Sequence, residues 1–119
     1  DSALLFAFIM TESHGDETAK NENSTAKGYG QLLNGTATYV YEVVMSNGEG
    51  TYNTSMALNG DTNIEMTANY LAYLKENCSS VNEIITAYSG EDNQEYKNEI
   101  NKWLAKADIS IADLNNEMY

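Results

Sequence analysis

The sequence predicts a mainly α-helical protein with at most a short β-hairpin, and three observations carry that prediction. Apolar residues recur at spacings of three and four through most of the chain. Three pairs, Thr62-x-x-Glu65, Ser80-x-x-Glu83 and Ser110-x-x-Asp113, stand directly ahead of such stripes. A hydroxyl that accepts the N–H three residues on, with an acid reaching back, satisfies two donors that every helix start leaves open. Finally, no proline occurs among the 119 residues to interrupt a helix.

The elements follow in order. A first helix runs over Ala3–Ser13, with Ser2 as its N-cap. Residues 14–35 are polar and rich in Gly, Asn and Thr, which predicts a long surface loop. Loops of that length without regular structure are usually functional or disordered. A second helix begins near Thr36, after Gly35, with Tyr39, Val40, Val43 and Val44 at helical spacing. Residues 46–60 are irregular, with room for a short hairpin. The third helix starts at the Thr62 box and buries Ile64, Ala68, Tyr70, Leu71 and Leu74. The fourth follows Ser80, carries Val81, Ile84, Ile85 and Tyr88, and stops at Ser89-Gly90. Tyr96, Ile100, Trp103 and Leu104 mark a fifth helix, and Ile111, Leu114 and Met118 a sixth behind Ser110. With no internal repeat and no linker, residues 1–119 read as one domain.

Composition removes several functional classes. Eighteen acidic against six basic residues give a net charge of −12, which argues against nucleic acid, because phosphate binding needs clustered Lys and Arg. It also argues against an anionic membrane surface. The longest apolar run, around Ala3–Met10, is far short of the roughly 20 residues of a membrane span, and it lacks the flanks of a signal peptide. Cys78 is the only cysteine and His14 the only histidine. That excludes a disulfide framework, a thiolate cluster and a multi-histidine metal site. No metal and no organic cofactor is expected.

Glu12 is the candidate for chemistry. Leu5, Phe8 and Ile9 lie seven, four and three residues before it, so a helix places them on the face that carries its carboxylate. An acid at the end of an apolar stripe is partly desolvated, which raises its pKa and suits it to donate a proton. The competing reading is a helix-end glutamate that points into water.

Several blocks then occur in a fixed order. Ile9-Met10-Thr11-Glu12-Ser13 is followed by Ala26-Lys27-Gly28-Tyr29-Gly30-Gln31-Leu32-Leu33 and Gly35-Thr36-Ala37. Asp61-Thr62-Asn63-Ile64 leads to Asn69-Tyr70-Leu71, and Ala87-Tyr88-Ser89-Gly90 closes the series. In this order and spacing the chain resembles the soluble lytic transglycosylase family related to goose-type lysozyme, over roughly residues 3–104. The resemblance implies a lysozyme-like helical fold and cleavage of peptidoglycan between N-acetylmuramic acid and N-acetylglucosamine. By the same resemblance Glu12 protonates the glycosidic oxygen and then serves as base. The muramoyl C6 hydroxyl attacks the anomeric carbon, leaving a 1,6-anhydro end. Most glycosidases need two carboxylates, but a tethered hydroxyl removes the need for a second, and its proximity is a large rate term.

The remaining roles are also carried by resemblance. Ser13 would orient Glu12 near the reacting sugar, against a plain helix-terminal role. Gly28 and Gly30 would let the backbone approach the glycan, against an ordinary turn. Tyr29 would contact the glycan, and Gln31 would exchange hydrogen bonds with an N-acetyl group, against anchoring its own loop. Tyr88 would bond the carboxylate or substrate, against a core tyrosine. Ser89 stands where the family has Asn, which weakens a substrate amide contact. Tyr29-Gly30 replaces Leu-Met, and Thr67 occupies a position where the family carries Gly. The implied partner is the peptidoglycan glycan strand, bound by a monomeric domain of a larger polypeptide acting outside the cytoplasm.

Two alternatives stay open. A muramidase would hydrolyse the same bond and needs a group to hold water, for which Asp16, Glu17 and Glu22 are the candidates. A non-catalytic glycan-binding module would keep only the scaffold. The charge of −12 is unhelpful to an enzyme acting on peptidoglycan, which carries carboxylates, since like charges repel within a Debye length of about 8 Å; together with Ser89 it motivates the non-catalytic module.

Overall fold

Capping side chains decide where the helices begin in the computed structural model, which describes residues 1–119. The first helix, α1 (Ser2–Ser13), is capped by Asp1 rather than by Ser2. The Asp1 carboxylate accepts the N–H groups of Ala3 (2.8 Å) and Leu4 (3.2 Å). A negative charge at a helix N-terminus also meets the positive end of the helix dipole, which a serine cannot match.

Helix α2 (Asn34–Tyr39) starts ahead of Thr36 and runs directly into a π-helical turn, Val40–Met45. Ala37 and Val40 are buried there, whereas Tyr39 and Val43 are exposed. No hairpin forms in residues 46–60. The Asn53 side chain accepts the Ser55 N–H at 2.9 Å, and this Asx turn winds the backbone into a 3-10 turn over Thr54–Leu58.

The cap of α3 (Gly60–Asn77) also lies earlier than Thr62. Asn59 Oδ1 accepts the Thr62 N–H at 3.1 Å, so Thr62 sits inside the first turn. The buried stripe is correspondingly rotated. It runs through Asn63, Met66, Thr67, Leu71 and Leu74, and Ile64 is turned outward. The fourth and sixth helices start where expected, and the fifth has a cap that was not singled out. Ser80 caps α4 (Val81–Ser89), Asn93 caps α5 (Gln94–Leu104), and Ser110 with Asp113 forms a complete capping box for α6 (Ile111–Met118). Glu83 reaches past Ser80 to the Ser79 N–H and hydroxyl instead of closing a box.

The chain divides into two compact units. One is discontinuous, Asp1–Thr11 with Leu71–Tyr119, and its core is apolar. Leu4, Phe8, Ile84, Ile85, Ile100, Leu104 and Leu114 are fully buried in it. Helix α4 packs on α5 and α6. The Phe8 ring lies against Tyr88, with centroids 4.3 Å apart, and Phe6 meets Trp103 edge-on at 6.1 Å. The other unit is the continuous stretch Glu12–Tyr70. Its buried apolar set is smaller (Ala26, Leu32, Ala37, Val40, Ala57 and Met66), and three polar residues, Ser13, Asn63 and Thr67, are buried in that unit as well. No helix is long and apolar enough to cross a membrane.

Candidate active site

Glu12 and Ser13 are the last two residues of α1 and the first two of the continuous unit. Glu12 is half-buried and Ser13 buried. The chain then leaves the helix through His14 (φ 54°) and Gly15 (φ 77°), both left-handed. Such a reversal ends an α-helix at a defined residue, so the pair is held at a fixed helix end. Asp16 closes the corner. Its N–H donates to Ser13 O at 3.0 Å, and its carboxylate accepts the Thr18 N–H and hydroxyl. Those two bonds hold the exposed Asp16 carboxyl below its usual range.

The segment that follows is an ordered loop. The Gly28 N–H donates to Ala19 O at 2.7 Å, and isolated antiparallel bridges join Lys20 to Lys27 and Lys27 to Leu32. Gln31 is itself left-handed (φ 52°). Its side-chain amide donates to Ala19 O (3.0 Å) and Gly28 O (2.9 Å). Both amide hydrogens are thereby committed to the loop, leaving Oε1 as the group it can offer a ligand.

Gly28 answers to an internal demand. It is buried, with φ 75°, and a Cβ there would collide with the Ala57 carbonyl and the Asn63 side-chain amide. Close packing within the unit therefore requires glycine at this position. Gly30 is buried too, and its N–H donates to Asn63 Oδ1 at 2.9 Å. Tyr29, between them, is half-buried, and its ring lies with the Glu17 carboxylate over Gly60 at the start of α3.

Asn63 organises this loop, and sequence reasoning did not select it as a site residue. It is fully buried. Besides accepting from Gly30, it donates through Nδ2 to Lys27 O (3.1 Å) and Ala57 O (2.8 Å). The Thr67 hydroxyl donates to Asn63 O at 2.8 Å and lies 3.2 Å from Asn63 Oδ1. Thr67 is buried and supports the asparagine. The signal was present as spacing, because 63, 66, 67, 70, 71 and 74 form one helical stripe with two polar members.

Tyr88 and Ser89 belong to the discontinuous unit. The Tyr88 ring packs on Phe8, one turn before Glu12 along α1. Ser89 closes α4: its hydroxyl lies 2.9 Å from Ile85 O and 2.9 Å from Glu91 O. A serine hydroxyl has one hydrogen, so that donor is engaged by the helix end and Ser89 offers a ligand only its oxygen. No group of three or more His, Cys, Asp or Glu side chains is arranged to hold a metal ion.

Residues 1–110 match the family described as the transglycosylase SLT domain. The chain belongs to that family. The match covers every block from Glu12-Ser13 to Tyr88-Ser89, and the helical architecture agrees with an SLT-type domain. The SLT family acts on peptidoglycan, and at that level this SLT domain has a transglycosylase-type function on the cell wall. No curated protein and no solved structure matches it.

Proposed function

We propose that this SLT domain is a peptidoglycan lytic transglycosylase that cleaves the β-1,4 bond between N-acetylmuramic acid and N-acetylglucosamine, with Glu12 as its acid and base. The observation that carries the reading is the family match over residues 1–110 together with the half-buried Glu12 at a sharply terminated helix end. Glu12 gives its proton to the glycosidic oxygen as the bond to the leaving N-acetylglucosamine breaks. The resulting carboxylate takes the proton of the muramoyl C6 hydroxyl as that oxygen bonds to the anomeric carbon. The 1,6-anhydro ring closes, and the acid is regenerated without water.

Buried Ser13, next to the acid, fixes its backbone and limits its rotamers. Gln31 presents an acceptor, Oε1, which suits the N–H of an acetamido group better than its carbonyl. Tyr29 supplies ring surface for the sugar. The domain works on the cell wall outside the cytoplasm.

Product analysis tests the reading. The domain is incubated with purified peptidoglycan, beside Glu12→Gln, and the fragments are weighed by mass spectrometry. Anhydromuramoyl ends are expected, with a loss of about 10²–10⁴-fold in Glu12→Gln, the usual contribution of a general acid. Reducing ends would instead establish the hydrolase. Glycan binding with no fragments, unaffected by Glu12→Gln, would establish the non-catalytic module.

A further inference from the structure

We propose that Asn63 and Thr67 act as a positioning pair for the cleavage step, fixing the Lys27–Gln31 turn and so setting turnover rather than glycan affinity. The proposal rests on the reading of Glu12 and this turn as one glycan-cleaving site. Asn63 is fully buried, and every hydrogen-bonding atom of its side chain is used. One oxygen receives the Gly30 N–H, and the two amide hydrogens go to the carbonyls of Lys27 and Ala57. A single carboxamide therefore ties α3 to both ends of the turn and to the 3-10 segment.

Such a tie is needed because the turn contains two left-handed residues, Gly28 and Gln31. Non-glycine residues hold that conformation only when their surroundings impose it. Gln31 passes the restraint onward through its bonds to Ala19 and Gly28.

The Gly30 N–H, which can only donate, fixes which way the carboxamide faces, with Oδ1 toward it. The buried Thr67 hydroxyl supports that orientation: its one hydrogen points to Asn63 O at 2.8 Å and is shared with Asn63 Oδ1 at 3.2 Å. The reversed amide would set Nδ2 against the Gly30 N–H, donor against donor, and the turn would lose its anchor. This hydroxyl stands where the family resemblance places glycine, so the device belongs to this chain's own residues.

The test compares Asn63→Asp, Asn63→Ala, Thr67→Val and Thr67→Ser with a control, Val40→Ala, which removes a buried apolar group from the same unit. Turnover of a soluble muroglycan oligomer is measured where circular dichroism shows each variant folded. Both Asn63 variants are expected to lower kcat by about 10²-fold, the cost of a misplacement near 1 Å, with KM little changed. Thr67→Val is expected to lower kcat by about tenfold, and Thr67→Ser to restore it.

Hydrogen exchange at the Gly30 amide provides a readout independent of turnover. It should quicken in Asn63→Ala and Thr67→Val while exchange at Ile84 stays fixed. Unchanged Gly30 exchange, or an equal kcat loss in a Val40→Ala variant matched for Tm, overturns the proposal alone. No cleavage by the unaltered domain overturns the functional reading, and with it the claim about rate, while Gly30 exchange still decides whether the pair holds the turn.

Discussion

The two compact units keep their backbones in place by different means. The discontinuous unit is an apolar assembly, with Phe8, Ile84, Ile85, Ile100, Leu104 and Leu114 fully buried and its later helices started by side-chain caps. The continuous unit has fewer buried apolar side chains, and its turns depend on a buried carboxamide, a buried hydroxyl and left-handed residues at 14, 15, 28 and 31. Apolar contacts are non-directional and tolerate small shifts. Hydrogen bonds to buried groups do not, because an unmet buried donor costs about 1–3 kcal/mol. The directional unit is the one that carries Glu12 and the glutamine turn, so exact placement is concentrated where the chemistry is proposed.

Substitutions separate the two modes. Ile84→Ala, in the apolar unit, should cost about 2–5 kcal/mol of stability and leave kcat on muroglycan unchanged below its melting range. Thermal unfolding and turnover measured on the same preparation check both halves. Gly28→Ala should cost at least as much, because a Cβ collides with the Ala57 carbonyl and the Asn63 amide on top of about 1–3 kcal/mol of left-handed strain, and it should also lower kcat by at least about tenfold through the displaced turn. If Ile84→Ala cut turnover more deeply than Gly28→Ala among folded molecules, the division of roles would be wrong. Ser110→Ala removes a helix cap from the apolar unit and should cost about 1 kcal/mol, seen as a small fall in Tm with unchanged products.

The smallest effect expected is on pH dependence. Hydrogen bonds from Ser79 hold the exposed Glu83 carboxyl below its usual value of 4.5, and Thr18 does the same for Asp16 below 3.8. A depressed folded pKa means stability that is present above the unfolded value and lost as pH falls through the folded one. Tm should therefore decline below about pH 4.5, and Glu83→Gln should flatten that decline in a Tm-against-pH series. Asp16→Asn should do so only at still lower pH.

The same contrast explains what could be read in advance. Helices α4 and α6 were legible because Ser80 and Ser110 act on N–H groups three residues away, a purely local relation. The start of α3 was not, since Asn59 and Thr62 are both plausible caps and the choice depends on which fits the incoming chain. The reading of Ile64 as buried failed with it. Glu12, Gly28, Gln31 and Tyr88 stood out as motif members, but the direction of the Gln31 amide depends on a left-handed φ and on Ala19, twelve residues away. Asn63 stood in a motif block but was given no role, because a polar residue in a helix is ordinarily assigned to solvent, although its spacing with Met66, Thr67 and Leu74 placed it inside.

The discontinuity of the apolar unit bears on how the molecule is made. Phe8 leaves the ribosome long before Tyr88 and Tyr96, the rings it packs against. At a synthesis rate of about 5–20 residues per second, α1 waits several seconds for its partners. During that interval the whole of Glu12–Tyr70 has already emerged. A nascent chain halted shortly after Tyr70 would leave the apolar face of α1 without the rings it packs against, a species that chaperones would bind and that the finished protein never displays.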